Sequence, residues 1–431
     1  MKRRIVLRAA GFSLIELLVA MVIGLVVTLA VTSVLIRSEG SKRSSTSVNE
    51  INQTGAYTAF VLDRVIRSAG SGFSQRWSDV YGCLLDVSKA SNAVLPVSAT
   101  IAAPSAFRNI KSSSTTLPIR LAPLIIGRDL ADTTGVGAEV RGDVLIVMAG
   151  SAGVGESPQP VNPGSVDVTT TPPQLQLQNT LGYRTNDLVL LSDTGVAAGC
   201  MMQQVGTLAA ASYGQVLPLA GDYYRAAGTN VALTSFGAST IVMQLGSAST
   251  TQPNRPQFFA YAVGENRTLY SYDLLNPLPT GGVDNRPDVA IADNVVEMRA
   301  VYGLDTTSPP DGIINEWVRA TGNFEASVLT NGSAASRNRL RQIIAVRVGL
   351  ILRTSLQERS AAAATSASGV TAQETFQQPS AASLTLFEGL TDSGGASLSY
   401  TRSVTGDDAL YRYRPVDVTI PLRNVQLAPQ S

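Results

Sequence analysis

The sequence has no histidine, two cysteines and four lysines. Without histidine it lacks the commonest general base and the commonest transition-metal ligand. Two cysteines are too few for a thiolate metal site. The lysines, at positions 2, 42, 89 and 111, stand in no phosphate-loop pattern, and no G-x-S-x-G nucleophile elbow occurs. These absences point away from an enzyme and from any cofactor. An excess of charge of one sign is also missing, with 33 basic and 32 acidic side chains. The near balance hides an asymmetry. Lys2, Arg3, Arg4 and Arg8 crowd the first eleven residues with no acid among them, and the remaining chain carries 29 bases against 32 acids. A nucleic-acid surface needs a concentrated basic patch, so that body is expected to bind no nucleic acid.

The first proline is Pro96, and a long helix can form before it. Residues 12–36, FSLIELLVAMVIGLVVTLAVTSVLI, are apolar apart from Glu16 and a few hydroxyls. As an α-helix they extend ~37 Å at ~1.5 Å per residue, enough for a bilayer core of ~30 Å. The stretch exceeds the apolar core of a secretory signal and ends in no A-x-A site. The preceding bases put its N-terminus in the cytoplasm and the bulk of the chain on the other side. Glu16 is the anomaly: a carboxylate in an apolar span is costly unless neutralised or paired. A tolerated position at headgroup level is the alternative reading.

Gly11-Phe12-Ser13-Leu14-Ile15-Glu16 resembles the type IV prepilin signature G-F-[ST]-L-[IVL]-E. The resemblance implies cleavage after Gly11 by a prepilin peptidase and N-methylation of the new terminus, Phe12. It also implies pairing of Glu16 with the terminal amine of a neighbouring subunit. A buried acid and a buried amine are each costly alone and offset one another together.

Residues 37–70 read as an amphipathic continuation, with Val48, Ile51, Thr58, Val61, Val65 and Ala69 as one stripe. SAGSG (68–72) reads as its stop. Gly24, Gly40 and Gly55 are weak points in the helix, and Ser33 stands where major pilins often carry proline. Beyond it the chain reads as β-rich. Val296, Met298, Ala300 and Tyr302 alternate with Glu297 and Arg299. Ile344, Val346, Val348, Leu350 and Leu352 oppose Arg347 and Arg353. Val416, Val418, Ile420 and Leu422 oppose Asp417, Thr419 and Arg423. This alternation predicts half-buried antiparallel strands with one wet face. Further strands are expected at 143–148, 186–192, 201–205, 239–245, 257–263 and 267–272, and flexible insertions at 149–173 and 356–383. The expected fold class is α+β: a leader (1–11), a membrane and assembly helix (12–36), its amphipathic half (37–70), and a β-rich periplasmic head (71–431) packed on the helix.

Several later segments fall in the order found in the PilW group of minor pilins. These are LDRVIRSAGSGF (62–73), YGC (81–83), NDLVLLSD (186–193), VVEMRAVYGLD (295–305), QIIAVRVGLILRT (342–354) and VDVTIPLRN (416–424). The resemblance implies a low-abundance pilin of the inner membrane that enters the pilus. It implies partnership with other minor pilins, the major pilin, the prepilin peptidase, the assembly platform and membrane lipid. Initiation of pilus assembly, twitching motility and adhesion are the implied roles. A GspJ-like minor pseudopilin of a type II secretion system shares the same signature. A single-pass adhesin or enzyme using the helix only as an anchor is the alternative of another class.

Cys83 and Cys200 are the only cysteines. Outside the cytoplasm a small even number favours a disulfide, with two buried thiols as the alternative. Asp305, Asp311, Asn315 and Glu316 place four oxygen donors in a turn-rich stretch, the ligand type calcium takes. Their spacing fits no EF-hand, and Pro309-Pro310 and Asp311-Gly312 make a turn unaided. A solvated hairpin turn is therefore preferred to a metal site. Tyr223, Tyr224, Phe258, Phe259, Tyr261, Tyr270 and Tyr272 are read as core or cross-strand pairs.

Overall fold

The computed structural model describes residues 13–95, 104–111, 119–131, 142–151, 158–193, 199–208, 215–237, 239–249, 251–276, 288–357, 383–404, 408 and 411–428. One helix, α1 (Leu14–Ser68), runs unbroken from the apolar segment into the head. Ser13 caps it, its Oγ accepting from the Ile15 amide at 3.3 Å. Gly70 and Gly72, both at φ +81°, turn the chain away after its end.

The head-facing stripe of α1 comprises Ser47, Ile51, Thr58, Leu62, Ile66 and Ala69, all buried. The expected stripe is rotated in part, since Val48, Val61 and Val65 are only half-buried. Gly55 explains the shift. Its missing side chain brings the helix against Val416 and Leu352, whose methyls lie 3.4 and 3.5 Å from where a Cβ would stand. A seam centred on a glycine is invisible to a hydropathy pattern.

Two strands open the head, β1 (Leu84–Lys89) and β2 (Asn92–Leu95). Then come β3 (Leu124–Gly127), β4 (Val144–Ala149), β5 (Gln159–Asp167), β6 (Gln174–Leu177), β7 (Asp187–Asp193), β8 (Gly199–Gln204) and β9 (Val216–Pro218). β10 (Thr240–Ser247), β11 (Gln257–Val263), β12 (Leu269–Asp273) and β13 (Val289–Ala292) lead to β14 (Val295–Leu304) and β15 (Glu316–Val318). The short helices α2 (Trp77–Val80), α3 (Ala326–Leu329) and α4 (Ala334–Gln342) lie at one end of the head, α4 running directly into β16 (Ile343–Arg353). β17 (Ser383–Leu386), β18 (Tyr400–Ser403), β19 (Tyr413–Pro421) and α5 (Arg423–Gln426) finish the chain. The six additional strand expectations all fall on strands. The flexible stretch expected at 149–173 contains β5, a correction. Its Val161 is buried and pairs with Leu177, which supplies the cross-strand contact that composition hides. Most of the stretch expected at 356–383 lies outside the described residues.

The strands form three sheets and a hairpin. The first is ordered β2-β1-β8-β7-β10-β5-β6-β9. Its end curls back: Val205, just past β8, bridges Leu219, just past β9, and the amides of Gly206 and Ala220 donate to Pro218 and Gln204. Six of its strands thereby close a small barrel around Val161, Leu177, Leu191, Met201, Leu217 and Val242. Pairing is antiparallel except for β1 with β8, which run parallel. β7, β8 and β10 are buried throughout because both faces meet apolar surroundings. Val189 and Leu191 point into the barrel, whereas Leu188 and Leu190 point into the main core.

The second sheet, β13-β12-β11-β4-β3, and the third, β15-β14-β16-β19, complete the main core with α1. The prediction of one wet face on β14 and β16 is wrong. The β17–β18 hairpin covers that face, enclosing Val301 and Ile351 with Leu386 and Phe387. Glu297 is 1 % exposed and Arg299 8 %. A bulge between Val295 and Glu297 also turns Val295, not Val296, into the main core. At the start of β16, Ile343 takes the core position expected for Ile344. β19 follows the expected alternation, with Val416, Val418 and Ile420 against the core.

Candidate functional site: the apolar helix and its seating in the head

The apolar part of α1, Leu14–Ile36, has a mean hydropathy of 2.8, and none of it is buried by the head. It is long enough to cross a bilayer. Its hydroxyls are satisfied within the helix, as hydrocarbon demands. Thr28 Oγ1 donates to the Gly24 carbonyl, Thr32 Oγ1 to Thr28 at 2.8 Å and Ser33 Oγ to Ala30 at 2.7 Å. Glu16 lies in the first turn and is exposed. A helix N-terminus favours a carboxylate there, and no described residue of the head reaches it. Gly11 and Phe12 lie outside the described residues.

The other end of α1 is held firmly. Asn424 Nδ2 donates to the carbonyls of Ser68 and Ala69 at 3.0 and 3.1 Å, closing the helix C-terminus. Arg414 donates to Asn52, and Ser355 Oγ donates to Glu50 at 3.3 Å. Asn424 and Gly55 position the stem relative to the head; the sequence marks Gly55 only as a weak point in the helix and gives Asn424 no such role. A polar residue after the last strand and a glycine in a helix have many ordinary explanations.

Cys83 and Cys200 are joined by a disulfide across 117 residues. It lies where β1 and β8 begin to pair, Leu84 beside Gly199 and Leu85 beside Cys200. The bond therefore ties the barrel to the segment that follows α1.

Of the four oxygen donors considered for calcium, Asp305, Asp311 and Asn315 accept hydrogen bonds within the turn, and Glu316 accepts from a distant serine. Asp305 accepts from the Thr307 amide at 3.0 Å through Oδ1 and from the Gly312 amide at 2.7 Å through Oδ2. Asn315 Oδ1 accepts from Thr306, Asp311 Oδ1 from the Ile313 amide and Glu316 Oε1 from Ser393. Hydrogen bonds from Thr307 and the Gly312 amide hold Asp305 below its ordinary value, against its desolvation. Among the described residues no group of three or more His, Cys, Asp or Glu could hold a metal ion. The aromatic residues behave as core: Phe107 stacks on Tyr272 at 5.4 Å, and Phe258 and Tyr261 are buried.

The strongest electrostatic feature of the head is one that alternation misassigned to solvent. Arg299 binds Asp143 at 3.1 Å and Glu297 at 2.7 Å, contacts Asp129, and stacks on the Tyr400 ring at 4.4 Å. Arg402 of β18 reaches Glu297 at 3.0 Å. Burial pushes the Asp143 carboxyl up to about 6, against the lowering effect of Arg299 and the amides of Ala300 and Asp129. The cluster clamps the hairpin onto β14.

Residues 260–424 match the family described as type IV pilus-assembly protein W, and residues 7–32 match the prokaryotic N-terminal methylation motif. No curated protein and no solved structure matches the chain. The first match spans the four-stranded sheet seated on α1 and its covering hairpin. The barrel lies outside it, as do 62–73, 81–83 and 186–193. The matches, the exposed apolar helix and the head seated on its second half support a PilW-type prepilin signature and a minor-pilin-like protein related to the type IV pilus.

Proposed function

We propose that this chain is a minor pilin, inserted once in the inner membrane with its head in the periplasm and drawn from there into a type IV pilus. A fully exposed apolar helix with an acid in its first turn, joined rigidly to a PilW-type head, carries this reading. The prepilin peptidase removes residues 1–11, Phe12 is methylated, and Glu16 receives the terminal amine of a neighbouring subunit. Partners are other minor pilins, the major pilin and the assembly platform. The head acts by contact with other subunits and not by catalysis, and the protein serves initiation of assembly, and through it twitching and adhesion.

N-terminal mass analysis of the membrane-extracted protein from its host tests the reading. The expected terminus is methylated Phe12, leaving 420 of the 431 residues. An intact Met1 terminus would overturn it. Loss of surface pili on deletion, restored by the wild-type chain, tests the assembly role; normal piliation without the protein would refute that role.

A further inference from the structure

The chain uses arginine freely and lysine four times. Lys89, the last residue of β1, sits in a built environment. Its Nζ donates to Asn276 Oδ1 at 2.7 Å, across 187 residues. The Tyr223 ring lies beneath it, 5.3 Å from Nζ to the ring centre. The segment carrying Asn276 is pinned from several sides. Leu274 donates its amide to Phe258 at 2.8 Å and Leu275 donates its own to Asp273 Oδ1 at 2.9 Å. Tyr223 donates its hydroxyl to the Leu275 carbonyl at 2.7 Å. Asp273 is paired with Arg255 and mostly buried.

The geometry points to a covalent bond here: an intramolecular isopeptide link between Lys89 Nζ and Asn276 Cγ, formed by the folded chain itself. The amine lone pair attacks the side-chain carbonyl carbon, and the bond from Cγ to Nδ2 breaks. The proton lost from Nζ passes to Nδ2, which leaves as ammonia. One amide replaces another, so no oxidant, reductant or activated donor is required. An arginine would make the same hydrogen bond but offers no comparable nucleophile; lysine does once it is neutral. The surroundings help: burial and the neighbouring Arg255 lower the Lys89 value, against Asp222 and Asp273. Burial raises Asp273, against Arg255 and the Leu275 amide. Holding amine and carbonyl in contact supplies the orientation on which such reactions depend.

The bond would join the barrel-side sheet, through β1, to the segment that leaves β12 in the second sheet. Cys83, just before β1, is already bonded to Cys200. Both ends of β1 would then be fastened covalently, with one fastening indifferent to reducing agents.

Peptide mapping of the full chain, purified from membranes and fully reduced and alkylated, tests this. The expected product is a branched tryptic peptide joining positions 89 and 276, lighter by about 17 Da than the two unlinked peptides, the mass of the ammonia released. Lys89→Arg and Asn276→Ala should each abolish it. Two separate peptides from the wild-type protein, with trypsin cutting after Lys89 and an amine reagent labelling its side chain, would overturn the proposal. The wild-type measurement decides the matter even where a variant fails to fold.

Discussion

Arg299 and Asp143 meet across 156 residues of sequence, Nη1 to Oδ1 at 3.1 Å, with both side chains buried. Glu297 completes the pairing from the same strand as Arg299. Removing the guanidinium strips Asp143 of its counter-charge in a low-dielectric site and leaves Glu297 with Arg402 alone. Arg299→Met should therefore cost about 3–5 kcal/mol, the range for breaking a buried ion pair. Urea unfolding of the detergent-solubilised protein measures it. An unchanged midpoint would mean that the cluster adds nothing.

The same site gives a pH dependence of known sign. Unfolded, Asp143 loses its proton near 3.8; folded, burial moves this to about 6. The folded chain holds the proton more tightly, so the stability this group contributes is complete below 3.8 and is lost as pH rises through 6. Asparagine does not titrate. The stability of Asp143→Asn relative to wild type should therefore rise across that window, whatever its offset. A difference that stays flat between these values would show that Asp143 titrates as an ordinary surface acid.

For the Cys83–Cys200 bond, loop-closure entropy over 117 residues gives a stabilisation of about 5 kcal/mol, and measured values are often smaller. Changing both cysteines to serine should lower the unfolding free energy by about 2–5 kcal/mol. The loss should match that seen when the wild-type protein is reduced. Serine variants as stable as the oxidised protein would show that strain in the folded state cancels the gain.

Gly82 stands at φ +78°, and a Cβ there would lie 2.8 Å from the Gly332 backbone. Gly82→Ala should cost about 1–3 kcal/mol through its backbone conformation alone, with the close approach to Gly332 adding to it. Gly24 in the apolar stem has nothing within 4 Å of its Cβ position, and alanine there should leave the head's unfolding unchanged. Equal melts for the two alanine variants would contradict the close crossing of Gly82 and Gly332.

Glu16→Leu addresses assembly. An ionised carboxylate costs ~2.5–3.5 kcal/mol in a membrane helix before any partner is found, so leucine should improve anchoring. Cleavage and insertion should persist, while cross-linking to partner minor pilins and the number of surface pili fall. Wild-type values for both would reduce Glu16 to a tolerated passenger.

Much of the backbone pattern can be read from residue order. The long helix follows from an early sequence free of proline, with SAGSG to stop it, and the strongest strands follow from period-two alternation. Strands β6 and β9 escape notice because they are four and three residues long, and β5 because prolines and polar residues interrupt its pattern; all three acquire their apolar contacts only by closing a barrel. The alternation of Glu297 and Arg299 was real, but it separated two covered faces rather than a dry one from a wet one. Partners from distant loops, Asp129 and Asp143, neutralise those charges, and no local pattern carries that information.

By itself the sequence determined the membrane-length helix, the processing signature at Gly11 and Phe12, and the acid at position 16. Each is a property of contiguous residues, fixed by hydropathy, helix rise and the chemistry of a short motif. Only the tertiary structure decided which face of α1 meets the head, since a glycine at 55 sets that seam. It alone joined Cys83 to Cys200, turned the Asp305 turn into a hydrogen-bonded loop, and set Lys89 against Asn276. Those outcomes rest on contacts between residues far apart in the chain. Their energies depend on burial and counter-charge that arise only when the sheets close.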